Sequence, residues 1–352
     1  MKKISILVDI SHPAHVHFFL PSVMIWREEG HRVLITSRDK DITLQLLENL
    51  GLEHTCLSRA RRRALGLLLE MVEHETRLLG VVRKFRPDVM LEIGGTFIVH
   101  AGKLARIPTI VFTDTENARL ANRITFPFAG CVCTPKCFQG SAGSRHVIYD
   151  GYHELAYLHP NRFQPDPAVP ASAGLVPGGY IVIRFVGWTA GHDIGVKGLS
   201  PEAKLKLVRT LMRSGRVIIS SESSLPKELE ACRMTMSPER VHHLLAFARL
   251  YVGESATMAS ESAVLGIPAI FISPEGRGYT DEEEECYGMV FNFRVPQVDM
   301  AIQRAQELLN RPNLGAEWQE KRRALLRDKI DVTAWMTRFV LDFVKQRRKR
   351  DH

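Results

Sequence analysis

Residues 249–273 constrain this chain more than any other stretch, because they read as strand, turn, helix and strand in immediate succession. Residues 250–252 end a short apolar run, and Gly253, Glu254 and Ser255 turn the chain. Residues 257–265 then carry Ala, Met and Leu on one side, as a packed helix does. Gly266 falls where a helix ends in the left-handed conformation, Pro268 prevents a restart, and residues 269–272 form the next strand. Gly253, Ser255 and Ala256 thus sit between a strand and a helix N-terminus. Free backbone N–H groups and the positive end of the helix dipole can hold a phosphate there. Glu261, about one helical turn further on, offers only acceptors and suits two vicinal ribose hydroxyls. The alternative left open is an ordinary strand–helix turn that Ser255 and Glu261 merely cap.

At 352 residues the chain is too long for one ordinary core, so two domains are expected. No apolar run reaches the roughly 18–20 residues of a membrane span, and no signal-peptide core precedes the first strand. Six cysteines are few for this length and fit a reducing cytoplasm. Cys131, Cys133 and Cys137 invite a zinc reading, but no fourth ligand stands at metal-site spacing, and buried thiols are expected instead. The formal charge of +8 is modest, and its distribution says more. Arg59, Arg61, Arg62 and Arg63 precede an apolar helical run from Leu65 to Val72, and the C-terminus is basic from Lys345 to Arg350. Basic residues beside an apolar helix can dock on anionic lipid. Contacts to nucleic acid lack an aromatic-interleaved basic motif, and none are expected. A core helix with a solvated basic entry is the plainer reading.

The first half opens with a strand over residues 3–9, a helix over 16–29 stopped by Gly30, and a strand over 32–36, the start of a doubly wound α/β domain. The loop after the first strand faces the ligand crevice in such folds. Here it carries His12, His15 and His17, which suit a base, a phosphate contact or a metal. The histidines have no carboxylate beside them, which speaks against metal. A helix's first turn lowers a histidine's pKa, so His15 is the first candidate for a catalytic base. Asp39-Lys40-Asp41 spells a D-x-D, but at a helix start acids cap by default. Gly94-Gly95-Thr96 follows a strand as a second crevice loop. Past residues 109–112, Asp114 and Glu116 lie beyond a strand's carboxyl end, with Asn122 in the following helix. Two carboxylates so close can raise one pKa enough for general-base work, while Asp114 can equally cap the helix. In the second half, residues 180–184 form a strand ending in Arg184, and a Gly-rich loop holds Trp188, His192 and Asp193. Arg184 suits phosphate oxygens through its planar fork. Five consecutive acids from Asp281 to Glu285 read as a solvated helix start.

These motifs resemble the nucleotide-sugar enzymes of GT-B architecture, among them the N-acetylglucosaminyltransferase that makes lipid II and the non-hydrolysing UDP-N-acetylglucosamine 2-epimerases. The Asp150-to-Leu158 segment, with Ser11-His12-Pro13-Ala14-His15, is also similar to a prokaryotic family of unknown function and GT-B-like sequence. The resemblance implies an α/β fold of two Rossmann-like domains facing a cleft. It implies an acceptor domain over residues 1–163, a Pro-rich linker over 164–178, and a nucleotide-sugar domain over 179–330. Residues 331–352 would form a helix crossing back to the first domain, with a basic tail. By position, Glu261 would hold the ribose, and Gly253, Glu254, Ser255, Ala256 and Thr257 would meet the diphosphate. Arg184 and His192 would contact donor phosphates and Glu222 would read the base. His12, Gly94, Gly95, Thr96, Asn122 and Tyr279 would touch acceptor or sugar, with Thr280 and Asp281 as weaker candidates. His15, Glu116 and Asp114 would carry the chemistry. The lipid II enzyme's first loop is glycine-rich, whereas Pro13-Ala14-His15 has no glycine.

The expectation is therefore a cytoplasmic glycosyltransferase, peripheral to the membrane. It would take a UDP-linked sugar to a saccharide or lipid-linked acceptor in cell-envelope or surface polysaccharide synthesis, without an obligatory cofactor or metal. A 2-epimerase and a non-catalytic nucleotide-sugar binder are the alternatives. Fold likeness alone does not choose among them.

Overall fold

A computed structural model describes residues 3–61, 64–187 and 198–350. The chain divides into two compact units, Met1–Tyr157 with Ile330–His352, and Leu158–Lys329. His192, Trp188 and Asp193 lie outside the described residues, as do Arg62 and Arg63.

The first unit is built on β1 (Ser5–Ile10), β2 (Arg32–Asp39), β3 (Thr55–Arg59), β4 (Val89–Ile93), β5 (Thr109–Phe112), β6 (Cys131–Pro135) and β7 (His146–Tyr149). They form one parallel sheet in the order β3-β2-β1-β4-β5-β6-β7. The order reverses between β1 and β4, and ligands bind outside the carboxyl ends of strands at such a point. Around the sheet pack α1 (Pro13–Glu28), α2 (Thr43–Asn49), α3 (Ala64–Phe85), α4 (Ile98–Ala105) and α5 (Arg119–Thr125). Helix α1 starts three residues before the sequence suggests. Pro13 is set for a first helical turn, and His12 caps it by accepting from the Ala14 N–H at 3.2 Å. Asp41 does not cap α2. Its φ is +51° and the cap position is Ile42. Cys131 and Cys133 are buried thiols in β6, with sulfurs 3.8 Å apart.

The second unit holds α6 (Ala168–Ser172), β8 (Tyr180–Phe185), α7 (Pro201–Leu211), β9 (Arg216–Ser221), α8 (Val241–Leu245), β10 (Leu250–Gly253), α9 (Ala256–Leu265), β11 (Ala269–Ile272), α10 (Gly278–Glu285), β12 (Val290–Phe293), α11 (Val298–Leu309) and α12 (Leu314–Asp328). Its five parallel strands run β12-β11-β10-β8-β9, with the reversal between β8 and β10. Helix α9 ends at Gly266 with φ +79°, the left-handed residue that the sequence marks. A Cβ there would also meet the Gln319 amide at 2.4 Å. The last carbonyls of α9 are taken up from α12: Arg322 donates to Val264, and Gln319 to Leu265 and Gly266.

Two helices close the chain. Helix α12 stops at Asp328, and α13 (Val332–Arg350) belongs to the first unit. There the Trp26 indole donates to the Thr337 carbonyl, and Thr333 donates to that of Ala156 at 2.6 Å.

The acidic run is not simply solvated. Glu283 is fully buried, bonded to Ser260 at 2.6 Å, and burial pushes its carboxyl up to about 8. The folded state therefore holds a proton there that the unfolded chain releases near the ordinary carboxylate value of 4.5. This contribution to stability is present below that value and is lost as pH rises toward 8. Glu283→Gln is expected to resist unfolding more than the wild type at pH 8–9, by on the order of a few kcal/mol, and to match it near pH 4. Urea midpoints at the two pH values test this, and equal gaps at both would refute it.

Candidate functional sites

Each unit carries a cluster of functional groups at the carboxyl edge of its sheet. In the second unit, β10 runs into the turn Glu254-Ser255. Gly253 pairs with Arg184 across the sheet, and a Cβ on it would meet the Arg184 carbonyl and the Tyr251 hydroxyl, both at 2.6 Å. Only glycine fits this approach. Ser255 is the N-cap of α9, its hydroxyl accepting from the Met258 N–H at 3.3 Å. The Ala256 and Thr257 N–H groups are left without an acceptor among the described residues, and both residues are half-exposed. They are free to meet an anion. Glu261 is 5% exposed and takes a 2.8 Å contact from His242 Nε2. His242, itself buried, thereby fixes the carboxylate in one orientation.

Three other residues proposed for nucleotide contact are engaged within the unit. Arg184 donates to Ser220 at 2.6 Å and to Glu222 at 2.5 Å. Glu222 also accepts from the Gly187 N–H at 2.9 Å. Glu254 is 3% exposed and accepts from the N–H groups of Val186 and Leu199, with Lys204 at 3.3 Å. Those two N–H groups lie on either side of the Gly-rich loop, so Glu254 ties its two ends together. Tyr279 and Thr280 are buried in α10, with Thr280 bonded to the Arg277 carbonyl at 3.1 Å. Asp281 is half-buried on the same helix.

In the first unit the register of β1 against β4 pairs Val8 with Leu91, so Asp9 and Glu92 follow side by side. Both are fully buried, and each keeps one carboxyl oxygen without a partner among the described residues. Their environments push them apart. Burial raises the Asp9 carboxyl, but His74 at 3.2 Å, Thr36 and His15 more than offset it, and Asp9 ends below its ordinary value. Burial and the neighbouring Asp9 hold Glu92 well above the ordinary range. The two buried acids are thus driven in opposite directions, the arrangement that separates base from acid at one site. Glu92 also occupies the Gly94-Gly95-Thr96 turn, accepting from the Phe97 and Ile98 N–H groups at 3.1 and 3.2 Å. The start of α4 therefore does not present those N–H groups to a ligand. Gly95, at φ +71°, would place a Cβ 2.5 Å from Val111.

His15 stands half-buried in the first turn of α1, 3.3 Å from the Ser11 hydroxyl. Burial, then His12, Lys40 and His153, lower its pKa well below the usual histidine value, against the pull of Asp9. It is neutral at pH 7 and able to accept a proton. His17 packs against Tyr157, with ring centroids 5.5 Å apart. Asp114 does not cap α5, whose cap position is Ala118. It pairs instead with the buried His153 at 3.1 Å, while Asn122 donates to the Thr115 carbonyl at 3.0 Å. His153 is lowered by burial, with Asp114 opposing.

Sequence reasoning missed Asp9, Glu92, His74, His153 and the His242 partner of Glu261. A signal existed for the first two: a carboxylate inside an apolar strand is rarely buried without a reason. The histidines gave none, because their partners lie 65, 39 and 19 positions away, as 74−9, 153−114 and 261−242 show. Ser58, His74 and Asp9 formally line up as a nucleophile triad, with Ser58 2.7 Å from His74. All three are buried, and Ser58 also donates toward Glu70 at 3.5 Å, so the line reads as a satisfied core network.

Residues 4–156 match the family described as protein of unknown function (DUF354). Among curated proteins, an uncharacterized protein of Methanocaldococcus jannaschii is 20% identical over 286 residues, covering 78% of this chain and 83% of that one. The UDP-N-acetylglucosamine–N-acetylmuramyl-(pentapeptide) pyrophosphoryl-undecaprenol N-acetylglucosamine transferase of Legionella pneumophila is 27% identical over 128 residues, 34% of this chain and 35% of that enzyme. Among solved structures, the UDP-GlcNAc 2-epimerase of Neisseria meningitidis bound to UDP-GlcNAc matches at TM-score 0.71 and 12% identity, over 96% of this chain and 100% of that one. The calicheamicin glycosyltransferase CalG4 matches at TM-score 0.58 and 14% identity, over 98% and 99%. The fold is thus the GT-B architecture shared by such transferases and epimerases.

Proposed function

We propose that the protein is a GT-B glycosyltransferase that takes a sugar from a UDP-linked donor to a saccharide or lipid-linked acceptor of envelope or surface polysaccharide synthesis. The carrying observation is the start of α9, where the Ala256 and Thr257 N–H groups await an acceptor and Glu261 is oriented by His242. In this reading the diphosphate meets those N–H groups and the helix dipole, and Glu261 takes the ribose hydroxyls. Loss of the acceptor's hydroxyl proton to His15, or to Glu116, accompanies a new bond at sugar C1. The C1–O bond to the diphosphate breaks, and the departing charge is stabilised at α9 without a metal being required. Arg184 would serve a phosphate only by exchanging Ser220 and Glu222.

A second reading has its own support. Asp9, Glu92, Asp114, His15 and His153 gather more acid–base capacity in one unit than a single hydroxyl deprotonation needs. A 2-epimerase, which removes and returns a proton at sugar C2, would use it. Incubating the protein with UDP-N-acetylglucosamine in deuterated water separates the two. A transferase releases UDP only with acceptor and leaves C2 unlabelled, whereas an epimerase incorporates deuterium at C2 without acceptor. Tight nucleotide binding with neither reaction would argue for a non-catalytic binder.

The membrane part of the reading rests on α3. Leu65, Leu68, Leu69 and Val72 are 71, 54, 51 and 57% exposed at helical spacing, beside Arg59 and Arg61. No helix among the described residues is long and apolar enough to cross a membrane. Wild-type protein is expected to sediment with vesicles containing phosphatidylserine, and a Leu68→Glu, Leu69→Glu variant to stay in the supernatant. Equal sedimentation of both would remove this surface from the proposal.

A further inference from the structure

The first unit also contains a cavity of about 640 Å³ between α5 and the loop after β6, lined by Glu116, Arg119, Asn122, Arg123, Phe126 and Arg145 among others. Arg119 and Arg123 are exposed and lie one helical turn apart on α5, a spacing at which like charges repel. Neither makes an ion pair or side-chain hydrogen bond among the described residues. The Arg145 guanidinium is set by a 2.9 Å bond to the Ala129 carbonyl, which neutralises no charge. Three guanidinium charges against the Glu116 carboxylate leave 3 − 1 = +2 around the cavity. Phe126 and Phe138 supply apolar wall, and Ser141 and Ser144 supply hydroxyls.

We propose that this cavity binds the phosphate of a phosphate ester, whose dianion matches the +2 and whose oxygens suit forked guanidinium donors. The ester's organic part would lie on Phe126 and Phe138. The inference deepens the acceptor side of the function above and rests on it in one respect: the ester's hydroxyl is placed beside Glu116, in the same cavity. The acceptor is then a phosphorylated compound, on either a soluble sugar or a lipid carrier.

The test is calorimetric titration of the whole protein with inorganic pyrophosphate while UDP saturates the other site. One residual site is expected in the wild type, and in Glu261→Gln once UDP is raised about 100-fold to saturate the weakened site. It should weaken about tenfold or more in Arg119→Gln, Arg123→Gln, because each charge-assisted bond lost is worth a comparable factor. Neither arginine supports the fold through an ion pair, so the double variant should keep the wild-type melting midpoint. No binding in the presence of UDP, or binding indifferent to the arginines, overturns the proposal. Displacement of pyrophosphate by glucose 1-phosphate assigns a soluble ester, and displacement by dihexanoyl phosphatidic acid a lipid-borne one. Displacement by neither also overturns it. Should UDP fail to bind while the arginine-dependent site persists, the donor assignment falls and the cavity stands.

Discussion

Glu261→Gln is expected to remove most of the thermal stabilisation that UDP gives the wild-type protein. A ligand at about 100 times its Kd stabilises the folded state by about 2.7 kcal/mol, or roughly 5–10 °C in a unit of this size. Glu261 contributes through its charge and through having acceptors only, held in place by His242 at 2.8 Å. The glutamine keeps the volume and an acceptor for His242, so the empty variant should fold. It turns half of the group into a donor and removes the charge, and a loss of two charge-assisted bonds weakens binding about 100-fold. At the same UDP concentration the shift should then shrink to about 1 °C. GDP, dTDP, CMP and ADP, run alongside, name the base. A full shift in the variant would take the ribose away from Glu261, and no shift with any nucleotide would sink the nucleotide-sugar reading.

His15→Gln should lower turnover of UDP-N-acetylglucosamine by about 10²–10⁴-fold, the usual contribution of a positioned general base, with little change in UDP affinity. The pH profile carries the sharper prediction. Burial, then His12, Lys40 and His153, keep the His15 imidazole neutral well below its usual pKa of 6.5. The proton-accepting form therefore survives as pH falls, and the acid limb of kcat/KM should lie below pH 6.5. In the variant that limb should vanish or move. If the rate falls less than about tenfold and the limb stays in place, Glu116 is the better base, and Glu116→Gln should then show the large loss.

The local signals were strong where physics is local. Gly266 ends α9 because its φ of +79° favours a residue without a Cβ, and that is legible from one glycine after an apolar run. The break between α12 and α13 has no such mark, since residues 326–335 hold no glycine or proline, and only the family resemblance put a boundary at 330/331. The burial of Glu283 was equally hidden, because five acids in a row look alike until Ser260 and a packed sheet single one out.

By itself, the sequence determined the parallel α/β class, the strand–turn–helix from Gly253 to Glu261 and the position of His15 after the first strand, all set by periodicity, turn residues and helix ends within a few positions. The tertiary structure alone decided which charges meet. Register places Asp9 beside Glu92, and packing of separate elements sets His153 against Asp114 and His242 against Glu261. It binds Arg184 to Glu222 and leaves Arg119 and Arg123 without ion partners among the described residues. A carboxylate's protonation state depends on burial and on charges within a few ångströms, and distance in space is what the order of residues along a chain does not record.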